Sequence, residues 1–283
     1  MKTFLVPIDL SQNALYALDY AVFLANKVSA EIILIWVNDS KDRDDMMEIS
    51  SEATKAKVVA RLDMLVDKYK PLLTSQKIGY RIREGHVDYE VANQAKYDDI
   101  DLVICATHGF NSSDRRYTGN NAVSIVMQCD CPVITIRPHY NYNDAADVIV
   151  VPVDSSSSTI QKAQVTCHIA KALNAQVHLV CLYSSNLSAV KRHVNNNLNC
   201  FCSFLSEQSI SYSVIERQGR STVATVLDYA NEVNAAMLIT MTEQEALTTS
   251  LLIGTTAQHL LNEAVMPVVG VNPKLLNHNF KTL

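Results

Sequence analysis

Short, wholly apolar runs alternate with longer amphipathic ones along this chain. Thr3 to Ile8 is apolar on both faces and reads as a buried strand. Asp9 and Ser11 follow as candidate caps, and Asn13 to Val28 carries Leu15, Leu18, Val22, Leu24 and Ala25 at helical spacing. Glu31 to Val37 is a second apolar strand, and the acidic stretch Asn38 to Asp45 is a loop. Glu48 to Tyr69 reads as a long helix with Val58, Val59, Leu62, Leu65 and Val66 on one face. Ile78 to Arg83 alternates like a strand near an edge, Gly85 breaks it, and Val87 to Lys96 is a short helix. Leu102 to Ala106 is a strand. The polar loop Thr107 to Thr118 leads through Gly119 to a helix over Ala122 to Cys129, and Pro132 opens the strand Val133 to Ile136.

The same order then returns. Strands are predicted near Val148–Val153, Gln176–Leu182, Tyr212–Glu216, Met237–Met241 and Val268–Val271. Helices are predicted near Ile160–Leu173, Ala189–Gln208, Val223–Val233 and Thr256–Glu263. Local sequence repeats with it. Val6-Pro7-Ile8-Asp9 reappears 145 residues later as Val151-Pro152-Val153-Asp154, and Gly119-Asn120 reappears 135 residues later as Gly254-Thr255. A period this long is a duplicated domain rather than a solenoid unit. The division predicted is residues 1–138 and 147–273, with a polar, turn-rich linker over 139–146 and a mostly polar, frayed tail over 274–283.

Apolar strands alternating with amphipathic helices imply a parallel sheet covered on both faces, an α/β architecture with right-handed crossovers. The last strand of each half is short and apolar, and as an edge it invites pairing.

Composition adds limits. With 283 residues the chain is long enough for two cores; it is 48% apolar and 19% charged, with a net charge of −5. An acidic chain disfavours general binding to nucleic acid or anionic membranes. No secretory leader is apparent, no apolar run reaches bilayer length, and the expected location is the cytoplasm. Seven cysteines are an odd number. Cys129/Cys131 and Cys200/Cys202 lack zinc-type spacing and a neighbouring histidine cluster, so buried reduced thiols are expected and no metal site.

In an open parallel sheet, ligands bind beyond the carboxyl ends of the strands, where strand order reverses. Pro7 and Asp9 lie at that end of the first strand, and Ala106-Thr107-His108-Gly109 at that end of the fourth. A helix opens after Gly119, and helix N-termini attract phosphates. These residues resemble the universal stress protein family, once per half, over nearly the whole chain. The resemblance implies two five-stranded adenine-nucleotide-binding domains of Rossmann-like form, strand order 3-2-1-4-5. The family's motif is Gly, two residues, Gly, nine residues, Gly, then Ser or Thr. Half one keeps this spacing with Ala106, Gly109, Gly119 and Asn120; half two has Met241, Gln244, Gly254 and Thr255. By the same resemblance Asp9 and Asp154 are the first-strand acids, and Val37 and Leu182 stand on the adenine side. It further implies ATP or another adenine nucleotide, with magnesium, in half one. In half two Glu243 adds negative charge where phosphates would lie. Packing of the two halves through their last strands as an internal pseudo-dimer is also implied. Further homodimerisation and an unknown protein partner stay open.

Each candidate also has a plainer role. Asp9 and Asp154 serve as helix caps, and Gly109 as a turn residue. Gly119 and Gly254 permit close packing, His108, Arg115 and Arg116 are surface groups, and Trp36 is a core residue. No paired carboxylates, nucleophile elbow or phosphate-binding Gly-Lys-Ser/Thr loop is present. The reading is therefore a stress-response nucleotide-binding sensor or adaptor, with a non-nucleotide scaffold acting through partner surfaces as the alternative. Slow ATP hydrolysis or self-phosphorylation has no residues that can be named for it.

Overall fold

In a computed structural model of the chain, the described residues are 2–39, 52–107, 120–143, 145–183, 187–217, 222–242 and 255–273. Half one runs β1 (Thr3–Pro7), α1 (Gln12–Val28), β2 (Glu31–Asn38), α2 (Glu52–Tyr69), β3 (Ile78–Glu84), α3 (Val87–Tyr97), β4 (Leu102–Ala106), α4 (Asn120–Gln128) and β5 (Val133–Ile136). Half two runs β6 (Ala146–Val153), α5 (Ala163–Leu173), β7 (Gln176–Cys181), α6 (Ser188–Glu207), β8 (Tyr212–Glu216), α7 (Thr222–Glu232), β9 (Ala235–Met241), α8 (Thr255–Glu263) and β10 (Val268–Val271).

Each half has the strand order 3-2-1-4-5, with parallel pairing inside each half. The halves do not stop at their last strands. β5 and β10 pair antiparallel, Val133 opposite Gly270 and Thr135 opposite Val268, which fuses them into one ten-stranded sheet. The short apolar strands read as edges thus lie at the centre, and β3 and β8 are the outer edges.

One face of the sheet is covered by α1, α2, α5 and α6, whose core positions include Leu18, Leu62, Ile169 and Phe201. The other carries α3, α4, α7 and α8, with Val91, Ile125, Val226 and Leu260. Both faces of the central strands are dry, which is why those strands are apolar throughout and do not alternate.

Duplication reaches the backbone. Ser29 ends α1 in the left-handed region (φ 53°) and Asn174 ends α5 the same way (φ 52°). The next residue in each case, Ala30 or Ala175, donates its N–H to a carbonyl five residues back, Ala25 or Ala170. Asp99 and Asn234 match likewise before β4 and β9. Neither pair is glycine, so all four carry a left-handed strain of about 1 kcal/mol each that the flanking helix ends hold in place.

Two expectations need correction. The first turn of the helix predicted from Ile160 is a 3-10 turn, Thr159–Lys162, and the α-helix begins at Ala163. The linker is not merely polar. Tyr142 packs edge-on against Tyr20 (ring centroids 5.2 Å apart) and tilted against Phe23 (4.8 Å), and Tyr140 donates its hydroxyl to the Ala235 carbonyl at 3.0 Å. Composition hid this because tyrosine buries a ring while satisfying its hydroxyl. β6 also begins at Ala146, inside the span read as linker. All seven cysteines are free thiols, and among the described residues no helix is long and apolar enough to cross a membrane.

At the seam the sheet and helix α4 meet closely. A Cβ on Gly270 would stand 2.6 Å from Val126 Cγ1 and 3.1 Å from Thr242 Cγ2. Gly270→Val is expected to destabilise the chain by about 1–3 kcal/mol through overpacking, read as a lower urea midpoint.

His168 and His178 are held below the ordinary imidazole value of 6.5 by burial, His168 additionally by Lys171 and Lys2. The unfolded chain then takes up protons that the folded chain resists. This contribution to stability is full above about pH 6.5 and is lost as pH falls through the lowered values. Replacing both residues (His168→Gln, His178→Gln) is expected to flatten the fall in urea midpoint between about pH 7 and pH 5.

Candidate functional site

The carboxyl ends of β1 and β4 are neighbours, since the two strands pair with Phe4 opposite Leu102 and Leu5 opposite Val103. Just past β1, the exposed Asp9 accepts the Ser11 N–H on Oδ1 at 2.9 Å, with Leu10 left-handed (φ 63°) between them. Ser11 in turn caps α1, its Oγ accepting the Ala14 N–H at 3.2 Å. The acid thus does the plainer job, a turn closure, and still stands in solvent at the positive end of α1.

Ala106 ends β4, half-buried, opposite Ile136, and the buried Thr107 donates its N–H to the Ile136 carbonyl at 3.0 Å. His108, Gly109, Arg115, Arg116 and Gly119 lie outside the described residues. α4 begins at Asn120, so the residue following Gly119 opens that helix. Pro7 is the last residue of β1 and pairs with Ile35; Val37 lies two residues further along β2, half-buried and opposite Arg83. Pro7, Asp9, Val37 and Ala106 therefore come to one rim. Trp36 packs on the α1 and α2 side of the sheet, whereas Val37 packs on the α3 and α4 side.

Two groups on this rim escaped sequence reading. Asp39 Oδ1 lies 3.5 Å from His86 Nδ1. Gly85, with φ +146°, lets the backbone turn there, and a Cβ on it would stand 3.0 Å from Glu90 Oε1. Both residues sat in stretches read only as loop or strand break.

Half two builds the corresponding rim differently. Asp154 is half-buried, and its Oδ1 accepts both the Ser156 N–H (3.0 Å) and the Ser156 hydroxyl (2.7 Å). Asn197 on α6 donates to the carbonyls of Asp154 and Ser156, each at 2.9 Å. Leu182 is buried and donates its N–H to the Val153 carbonyl at 2.8 Å. Thr255 opens α8; Glu243, Gln244 and Gly254 lie outside the described residues. Beneath this rim is a buried polar row. Thr159, Lys162 and Thr166 take the places that the buried Ala14, Ala17 and Ala21 hold in half one. Lys162 Nζ donates to Thr159 Oγ1 at 2.9 Å, and Thr166 Oγ1 donates to the Lys162 carbonyl at 2.8 Å. The row packs against β9 and α6. A Thr, Lys, Thr series at spacings of three and four inside an apolar helix face was the signal for it in the sequence.

Residues 1–137 match the profile described as the Universal stress protein family. The first half of this chain belongs to that family. Over 141 residues it is 27% identical to a universal stress protein of Staphylococcus saprophyticus, covering 48% of this chain and 83% of that one. It is 26% identical over 141 residues to one from Staphylococcus aureus, covering 48% and 84%. The whole chain shares its fold with a universal stress protein of Archaeoglobus fulgidus, with TM-score 0.75, 14% identity, and coverage of 96% of this chain and 98% of that one. A Pseudomonas aeruginosa structure of the same description gives TM-score 0.69 at 16% identity, covering 97% and 94%. In the universal stress protein half the rim is therefore carried by a known family frame, and in half two by the fold alone. Among the described residues, no cluster of three or more His, Cys, Asp or Glu side chains forms a metal site.

Ser11 supports the rim through α1. Ser11→Ala is expected to cost about 1 kcal/mol of stability, read as a lower urea midpoint.

Proposed function

We propose that this chain is a stress-response sensor or adaptor that holds an adenine nucleotide, with magnesium, in its universal stress protein half. The reading rests on one observation: Asp9, exposed in a turn at the capped start of α1, shares a rim with Ala106 at the end of β4. On this reading Asp9 accepts hydrogen bonds from the ribose or base, and Val37 lies against the adenine. The stretch Ala106 to Gly109 and the helix start at Gly119-Asn120 take the phosphates. Magnesium would offset the phosphate charge.

Half two is proposed to carry a degenerate site, poorly suited to the nucleotide. Asp154 spends an oxygen on both donors of Ser156. A buried lysine also lies beneath that rim, where the nucleotide half has alanine. The corresponding division is residues 1–138 and 147–273, joined by 139–146. The pairing of β5 with β10 supports an internal pseudo-dimer. Homodimerisation through other surfaces, a protein partner and a cytoplasmic location belong to the same proposal.

Titration calorimetry of the full chain with ATP and magnesium tests it. One site per chain is expected. Asp9→Ala should weaken binding by roughly 10- to 100-fold, the worth of a hydrogen bond on a charged group. Asp9→Ala combined with Gly109→Glu should abolish binding, and Asp154→Ala should leave it unchanged. Absence of heat from the unaltered chain would overturn the nucleotide reading and leave the scaffold.

A further inference from the structure

The antiparallel seam relates the two halves by a pseudo-two-fold, so whatever follows β5 has a counterpart following β10. After β5 the chain passes Arg137, whose Nε donates to the Ala264 carbonyl at 2.6 Å, and reaches the start of β9 through Tyr140. Tyr142 then rests on Tyr20 and Phe23 of α1. After β10 the chain passes Asn272, whose side-chain amide donates to the Met127 carbonyl at 2.9 Å. Arg137 and Asn272 are equivalent positions, each the first residue beyond its seam strand. Both anchor to a carbonyl at the end of the other half's last helix or just past it.

The place equivalent to the tyrosine-filled one is a groove. It lies at the amino ends of β1, β4 and β5, between α1 and α5. Its walls are apolar, from Leu24 and Val28 on one side, Val165, Ile169 and Leu173 on the other, and Pro132 at the floor; Lys2, Asp101 and His168 stand among them. Val165 and His168 occupy the α5 positions that Tyr20 and Phe23 occupy on α1, counting back from the matched helix ends at Asn174 and Ser29. The exit of β10 points to this groove, because Gly270 pairs with Val133, next to Pro132.

We propose that the segment after Pro273, led by Leu275, seats in this groove as the segment led by Tyr140 seats in its counterpart. Leu275 stands as far beyond Val268 as Tyr140 stands beyond Val133, seven residues in each case. Leu276 and Phe280 extend the apolar content of a segment that otherwise reads as polar. Filling the groove ties the chain beyond β10 to α1 and α5, as the linker beyond β5 is tied to α1 and the start of β9, so each half is strapped by chain that leaves the seam.

The test is photocrosslinking in the full chain, with benzoyl-phenylalanine replacing Leu275. Crosslinks within one chain to the α1 or α5 peptides are expected. Crosslinks between chains, to peptides elsewhere, or none at all would overturn the proposal; the first of these would assign the groove to a second copy. In parallel, the double variant Leu275→Asp, Leu276→Asp should raise the fluorescence of an anilinonaphthalene sulfonate dye several-fold by emptying the groove. Adding Ile169→Arg to that variant should abolish the gain. Dye binding equal to that of the unaltered chain would also overturn the assignment.

Discussion

Everything in this molecule turns on two four-residue strands pairing antiparallel. β5 and β10 are apolar on both faces, and left bare they would expose unpaired N–H and carbonyl groups along a hydrophobic edge. Paired with each other they close that edge and continue the sheet through ten strands. Helix α4 packs so closely on the seam that position 270 needs glycine, since a β-carbon there would run into Val126. The direction of pairing then sets the rest. Because the seam is antiparallel, the strands of one half run against those of the other, and the two rims face opposite ends of the sheet. Each segment that leaves the seam emerges beside the strand starts of the opposite half.

On this shared frame the halves have diverged in chemistry rather than in path. Left-handed helix ends, strand order and the aspartate turn after the first strand are held in common. Their fillings differ. Alanines beneath the first rim become Thr159, Lys162 and Thr166 beneath the second, where the buried lysine Nζ donates to Thr159 Oγ1. Aromatic rings at Tyr20 and Phe23 become Val165 and His168, which turns a packed contact into a groove. The universal stress protein family supplies the frame of half one, and half two keeps the same fold with these replacements.

Much of the fold was legible because buried strands and amphipathic helices write their periods directly into the chain. Leu102 to Ala106 and Val133 to Ile136 fall where they were read, and so does Tyr212 to Glu216. Helix starts were less legible. The turn at Thr159 follows 3-10 geometry because its side chains bond inward along a buried row, a tertiary circumstance that helical spacing does not register. The linker misled for a related reason, since asparagine-rich composition masks tyrosines that bury their rings. Of the candidate site, Pro7, Asp9, Val37 and Ala106 were found from strand ends, whereas the Asp39–His86 contact joins residues 47 apart and had no local signature.

By itself, then, the chain's sequence determined two βα repeats, their strand order by family resemblance, and an acid at the end of each first strand. Local periodicity and a repeated Pro-x-Asp carry that much, because they depend only on neighbours along the chain. Tertiary structure alone decided the joining of the halves at the sheet centre, the different surroundings of Asp9 and Asp154, and the groove between α1 and α5. Those depend on which surfaces meet across more than a hundred residues, and on the space left between side chains once the meeting has occurred.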